Sequence, residues 1–264
     1  MKRKIKKILS LLPLVILSCC VLVPLFVLFS GAFGDVYGLG GTAFSGIGFF
    51  LENSTKFYKG MANTLRYAFP VSAARIIVGA LIGWLISDSS PFKLNKKVKR
   101  AFTLFFVTLA LVPAVAFVVF YLKLASLSEL SPSFFGYAVT QCVFPCAVLI
   151  IRVGFDTVDK SVIEAASLDG SDGVHLLVRI VLPCVRKYVS LAFFVSFIDC
   201  VNMTCGAIHL IDSADRLPLS VMLREAVENS PETVAVPALL YAVIPLCIFV
   251  LSVLYAVRDE EVFR

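Results

Sequence analysis

The chain has 264 residues, of which 59% are hydrophobic and only 16% charged, with a net charge of +6 at neutral pH. Soluble domains carry about 25% charged residues; with a mean hydropathy of +0.93, the composition excludes an ordinary soluble domain and points to the membrane. The basic excess calls for no nucleic acid, because the basic stretches lack the interleaved aromatic side chains on which bases stack.

Apolar runs long enough to cross the hydrocarbon core as helices recur along the chain. In order they are 8–30, 61–87, 101–125, 133–154, 187–211 and 234–257. Backbone groups in lipid must be satisfied within the segment, so six such runs imply an all-α membrane protein with six transmembrane helices. A β-barrel would show short alternating segments instead. The first run follows MKRKIKK, which looks like the start of a signal peptide. The stretch from Ile8 to Phe29 exceeds a signal core of about 7–15 residues, so a retained anchor is expected even though Ser30-Gly31-Ala32 resembles a cleavage site. The loop at 31–60 is rich in Gly and Phe, with a short helix expected near Phe49–Lys59. Its GLGG is no phosphate loop, because no Lys-Ser or Lys-Thr follows a glycine.

Lys and Arg resist crossing and so set orientation. Seventeen of them fall on one side if both termini lie there: Lys2 to Lys7, Lys93 to Arg100, Arg152 to Lys187, and Arg258 with Arg264. The other side holds four, at Lys56, Lys59, Arg216 and Arg224. Both termini are therefore expected in the cytoplasm, and topology alone accounts for the positive charge.

Prolines 70, 113, 145, 237 and 245 lie at membrane depth. Each removes a donor and can kink its helix, through ordinary bundle packing or through bent helices around a gated pathway. Seven of the eight cysteines lie in apolar runs and read as small hydrophobes. Cys142 and Cys146 share a helical face, but no histidine or carboxylate of ligand spacing joins them. Neither a metal nor a cofactor is called for. Arg75 in the second run and Asp199 in the fifth would each cost about 2.5–3.5 kcal/mol at the bilayer centre. They read either as a pair or as pathway-lining groups, with Asn202, Thr204 and His209 adding polarity to the fifth run.

The segment 156–186 is the most polar interruption. Val158, Val162 and Ala166 recur at helical spacing. Gly170 can end that helix in a left-handed conformation, and Ser171 or Asp172 can cap the next. Val174, Leu177, Val178 and Val181 form the expected stripe of that second helix, which Pro183 ends. Most connections run only a few residues, so an amphipathic helix–turn–helix of this length reads as a docking element.

Within it, Glu164-Ala165-Ala166, then Asp169-Gly170, then Ile180, Leu182 and Pro183 stand in the register of the EAA motif. The chain thereby resembles the inner-membrane permease subunits of binding-protein-dependent ABC importers, of MetI-like fold. Ser171 stands where alanine is usual and Lys187 where a further proline is common. Asn63-Thr64-Leu65, Phe197-Ile198 with Asn202, and Leu217-Pro218-Leu219 before Leu223-Arg224 are similar to carbohydrate-type permeases, the maltose-permease small subunit among them. The tail, RDEEVFR, lacks that family's usual Gly-rich ending.

The resemblance implies a subunit that forms half of a translocation pathway. Its EAA loop would be a cytoplasmic coupling helix seated on a separate ABC ATPase. Its other partners would be a second, non-identical permease and an extracytoplasmic solute-binding protein. A sugar or oligosaccharide is the solute so implied; a polyamine, a phosphate ester or another small solute would suit the same fold. An intramembrane enzyme would need a nucleophile–base or metal constellation, which the spans do not offer. A non-transporting scaffold or receptor would have little use for the EAA segment.

Overall fold

The structure is a computed structural model, and it describes residues 22, 23, 26, 45–92, 94–127, 134–171, 173–211, 216–229 and 234–257. Most of the first apolar run, the 31–44 loop with its GLGG, Lys93, Asp172, Asp215 and the tail from Arg258 lie outside the described residues. Two compact units divide the chain: Met1–Lys59 with Met222–Val243, and Gly60–Val221 with Ile244–Arg264. The site lies in the second.

All regular structure among the described residues is helical, as the backbone's need for internal hydrogen bonds in lipid requires. Helix α1 spans Ser45–Ile86, including the short helix expected near Phe49–Lys59. Next come α2, Lys96–Ala110, and α3, Ala114–Leu127. These two are bent by 97° across Leu111-Val112-Pro113. The run at 101–125 is therefore two helices rather than one straight span. Pro113 disfavours helical geometry at the residue before it and has no N–H to continue the ladder. Helix α4, Phe134–Thr140, and α5, Pro145–Asp156, are separated by a turn at 141–144. Pro145 opens α5, where a missing N–H costs nothing.

Helix α6 spans Lys160–Leu168 and α7 Gly173–Cys184. Then follow α8, Arg186–Val201; α9, Thr204–Leu210; α10, Leu219–Asn229; and α11, Ala235–Val257. Among the described residues, three segments are long and apolar enough to cross a membrane: Leu51–Ile86, Gly136–Asp156 and Val236–Val257. The number reaches five if α2 with α3, and α7 with α8, each count as one bent span.

Small residues let the membrane helices approach closely. A Cβ on Gly83 of α1 would sit 3.2 Å from the backbone of Val148 and Arg152 in α5, and one on Gly79 would meet Ala147 at 3.4 Å. A Cβ on Gly154 of α5 would lie 2.7 Å from Cβ and Cγ of Tyr188 in α8. The main core joins Ala80 and Trp84 of α1, Ala147, Ile151 and Phe155 of α5, Val185, and Ala192 of α8. Ile163 and Ala166 of α6 and Leu176, Leu177 and Val181 of α7 belong to the same cluster. The segment between the fourth and fifth apolar runs is thus rooted in the helices it connects.

Candidate functional site

The EAA segment begins with Asp159, whose side chain accepts from the Ser161 N–H at 3.0 Å and caps α6. The helix ends at Gly170, with φ of +81°. The Ser171 N–H donates to the Ala166 carbonyl at 2.9 Å and the Gly170 N–H to that of Ser167 at 3.1 Å. This pair of bonds defines a Schellman ending, whose C′ position favours glycine because an L side chain there is strained. Helix α7 starts at Gly173, directly after Asp172.

Burial divides the motif residues. Ala166 is buried in the core, and Ile180 and Leu182 are half-buried. Glu164, Ala165, Asp169, Gly170 and Pro183 are exposed. Neither the Glu164 nor the Asp169 carboxylate forms an ion pair among the described residues.

The expected stripe of Val174, Leu177, Val178 and Val181 does not hold. Leu176, Leu177 and Val181 are buried, whereas Val174 is 67% and Val178 53% exposed. Residues Leu177–Val181 form a wide π turn, closed by the Leu182 N–H donating to the Leu177 carbonyl. Pro183 has no N–H to give the Arg179 carbonyl and its ring crowds that turn, so the helix widens and the inward face shifts by about a residue. Nor does Pro183 end the helix, which runs on to Cys184 before α8 departs at 87°. On α6 the inward pair is Ile163 and Ala166, and Val162 is exposed.

A polar cluster lies at the far ends of α5 and α8. Arg75 of α1 is 1% exposed. Its Nη1 donates to Asp199 Oδ2 at 2.7 Å and to the Ser196 carbonyl at 3.2 Å. Its Nε donates to the Gln141 carbonyl at 2.8 Å, and its Nη2 to Gln141 Oε1 at 3.4 Å. The guanidinium also stands 4.3 Å from the centroid of the Phe144 ring, a favourable cation–π distance. Arg75 and Asp199 therefore pair, while the Asp199 side chain stays 44% exposed. Asn202, at the C-cap of α8, is exposed three residues further on.

Gln141 and Phe144 were not singled out from the sequence. The available signal was an amide in an apolar run four residues ahead of Pro145. That spacing marks a helix break whose bare carbonyls want a donor.

Two stretches noted separately in the sequence meet. The Thr64 hydroxyl donates to the Gly60 carbonyl at 2.8 Å and accepts from the Leu219 N–H at 2.9 Å, satisfying a first-turn donor of α10. Asn63 Nδ2 donates to the Leu217 carbonyl at 3.3 Å.

The model of the family described as "Binding-protein-dependent transport system inner membrane component" matches residues 75–259, which include the Arg75 cluster and the whole EAA segment. The chain belongs to that family. This permease is 26% identical over 261 residues to the maltodextrin transport system permease protein MdxG of Bacillus subtilis strain 168, covering 93% of this chain and 91% of that one. Among solved structures it resembles a bacterial ABC transporter involved in import of the acidic polysaccharide alginate, with TM-score 0.70 and 20% identity, covering 98% of this chain and 97% of the other. It also resembles the MetNI methionine ABC transporter in an inward-facing form, with TM-score 0.60 and 15% identity, covering 74% of this chain and 92% of that one. The permease is a multi-pass membrane component of a binding-protein-dependent importer with the MetI-like fold.

Proposed function

We propose that the permease imports a sugar or oligosaccharide, and that its EAA segment receives the thrust of a separate cytoplasmic ATPase. The observation that carries the coupling role is the division of that segment into two faces. Ile163, Ala166, Leu176, Leu177 and Val181 are locked into the membrane-helix core. Leu168, 89% exposed, stands on the outer side with Val174, Val178 and the carboxylates of Glu164 and Asp169. Exposed apolar side chains rimmed by charge are what a protein partner covers. Glu164 is assigned to a basic group on the ATPase, and Gly170 to the turn that holds the two helices at a fixed angle.

Full-length similarity to a maltodextrin permease supports the solute class, with the likeness to an alginate transporter beside it. A second, non-identical permease completes the pathway, both termini are cytoplasmic, and ATP is hydrolysed on the ATPase alone. Asp199 and Asn202, exposed near the Arg75 cluster, are the polar groups assigned to the pathway.

The test is uptake of labelled maltodextrins by cells with and without the gene, alongside recovery of the ATPase on pull-down of the tagged permease. Loss of uptake together with co-purification supports the proposal. Unchanged uptake of every saccharide tried overturns the solute class, and absence of the ATPase from the purified complex overturns the coupling role.

A further inference from the structure

A cavity of about 320 Å³ opens where α1 and α5 end and α2 and α6 begin, lined in part by Lys96, Lys99, Lys160, Asp88, Phe92 and Leu94. Two bonds fix these ends in register: the Asp88 N–H donates to Asp156 Oδ1 at 2.7 Å, and Ser89 Oγ to the Val158 carbonyl at 3.4 Å.

The charges are unusual in three ways. Lys99 is 7% exposed, and its ammonium donates to the Ser87 carbonyl. That bond leaves two of its three N–H donors for the cavity. Lys96, Lys99 and Lys160 have no carboxylate partner among the described residues, and Asp88 in the same wall pairs with none of them. Finally, Lys96 and Lys99 sit in the first turn of a helix 15 residues long. There the helix dipole is also positive, so cations are at the unfavourable end. A bound anion would relieve all three.

The cavity also has an apolar rim. Phe92 is 45% and Leu94 42% exposed. Beyond the basic turn, α2 presents Phe102, Leu104 and Phe105, each at least half exposed. Cations at the foot of an exposed apolar helix face mark the membrane–water boundary, where basic pockets between transmembrane helices hold lipid head groups.

We infer that this cavity binds a phosphate group, supplied by the head group of an anionic phospholipid. Lys96, Lys99 and Lys160 take the phosphate, and Phe92 and Leu94 lie against the start of the acyl chains. A soluble phosphate would use the same lysines but gain nothing from the apolar rim. The inference does not depend on which solute the permease carries.

The experiment uses the intact transporter complex in nanodiscs of phosphatidylcholine doped with phosphatidylglycerol, with retained lipid read by native mass spectrometry. The wild type is expected to retain phosphatidylglycerol over phosphatidylcholine. Lys96→Gln and Lys160→Gln, both at exposed positions, should each weaken retention about fivefold. Lys97→Gln, one residue away and not in the cavity wall, should leave it unchanged. Lys99→Gln should show the largest loss, but the exposed pair keeps the test valid if that buried change disturbs folding. Inorganic phosphate bound at these lysines, without any head-group preference, would overturn the lipid source. Equal lipid retention in wild type and variants would overturn the site. So would variants that keep the lipid and lose the ATPase, since the lysines would then serve a protein surface.

Discussion

Replacing Gly170 by valine tests the coupling role through backbone geometry alone. Gly170 has φ of +81°, and a Cβ built there meets no atom within 4 Å. The cost is therefore not a clash but the strain of an L residue in the left-handed region, about 1–2 kcal/mol and nearer 3 kcal/mol for a β-branched side chain. At stake are the two bonds of the turn, Ser171 to Ala166 and Gly170 to Ser167. A penalty of about 2–3 kcal/mol shifts the turn's equilibrium by roughly 30- to 150-fold. The flanking helices stay anchored, because Ile163, Ala166, Leu176 and Leu177 remain in the core. The mutant should therefore reach the membrane at near-normal level, yet transport poorly and hold the ATPase weakly. Asparagine tolerates positive φ, which gives a graded series: Gly170→Asn mildest, Gly170→Ala intermediate, Gly170→Val worst. Uptake, ATPase recovery and membrane level are measured on all three. Equal behaviour of the asparagine and valine variants, or normal transport by the valine variant, would refute the reasoning.

Arg75→Met should destabilise the detergent-solubilised protein by about 3 kcal/mol, the low end for a broken buried pair because Asp199 keeps contact with water. Asp199→Asn should cost at least as much, about 3 kcal/mol, because it leaves the buried Arg75 charge without its carboxylate; an unchanged thermal midpoint for Arg75→Met would count against the cluster as a structural staple. Gly154→Ala should force α5 and α8 apart at Tyr188, at about 1–3 kcal/mol, and Gly154→Ala with Tyr188→Ala should lose less than the two single changes combined. If the thermal midpoints add, the packing account is wrong. Cysteines placed at Lys97 and Lys160 in a Cys-less background should label only from the cytoplasm, and one at Lys56 only from outside; external labelling at Lys160 would remove the coupling role altogether.

The sequence made some features plain because their cause is local. Gly170 is the turn residue because a left-handed position excludes most side chains. Arg75 and Asp199 stood out as charges in apolar runs, and the structure brings them together at 2.7 Å. What stayed hidden needed knowledge of neighbours. The stripe on α7 was read with a uniform helical period, and the π turn before Pro183 changes that period by one residue. Gln141 and Phe144 lie in a turn that an unbroken apolar run at 133–154 conceals. The cavity of Lys96, Lys99 and Lys160 joins segments about 60 residues apart, and charge counting had already assigned those lysines to topology.

The EAA segment and the Arg75 cluster lie at opposite ends of one pair of helices. Phe144, beneath the Arg75 guanidinium, is the N-cap of α5, and Asp156 ends that helix four residues before α6 begins. Asp199 lies near the C-terminus of α8, and Val185 at its start belongs to the core of the EAA segment. Gly154 meets Tyr188 near one end of this pair and Arg75 clamps the other, so α5 and α8 run antiparallel. At 1.5 Å per residue, the 12 residues of α5 span about 18 Å. A push on the EAA segment therefore meets a packed rod rather than a flexible connector, because close-packed interiors transmit strain. The rod's far end is held by directional bonds to the carbonyls of Gln141 and Ser196, which resist sliding more than apolar packing does. Under the proposed coupling role, a displacement at Glu164 should arrive at Asp199 as rigid-body motion, with Arg75 tying both helices to α1.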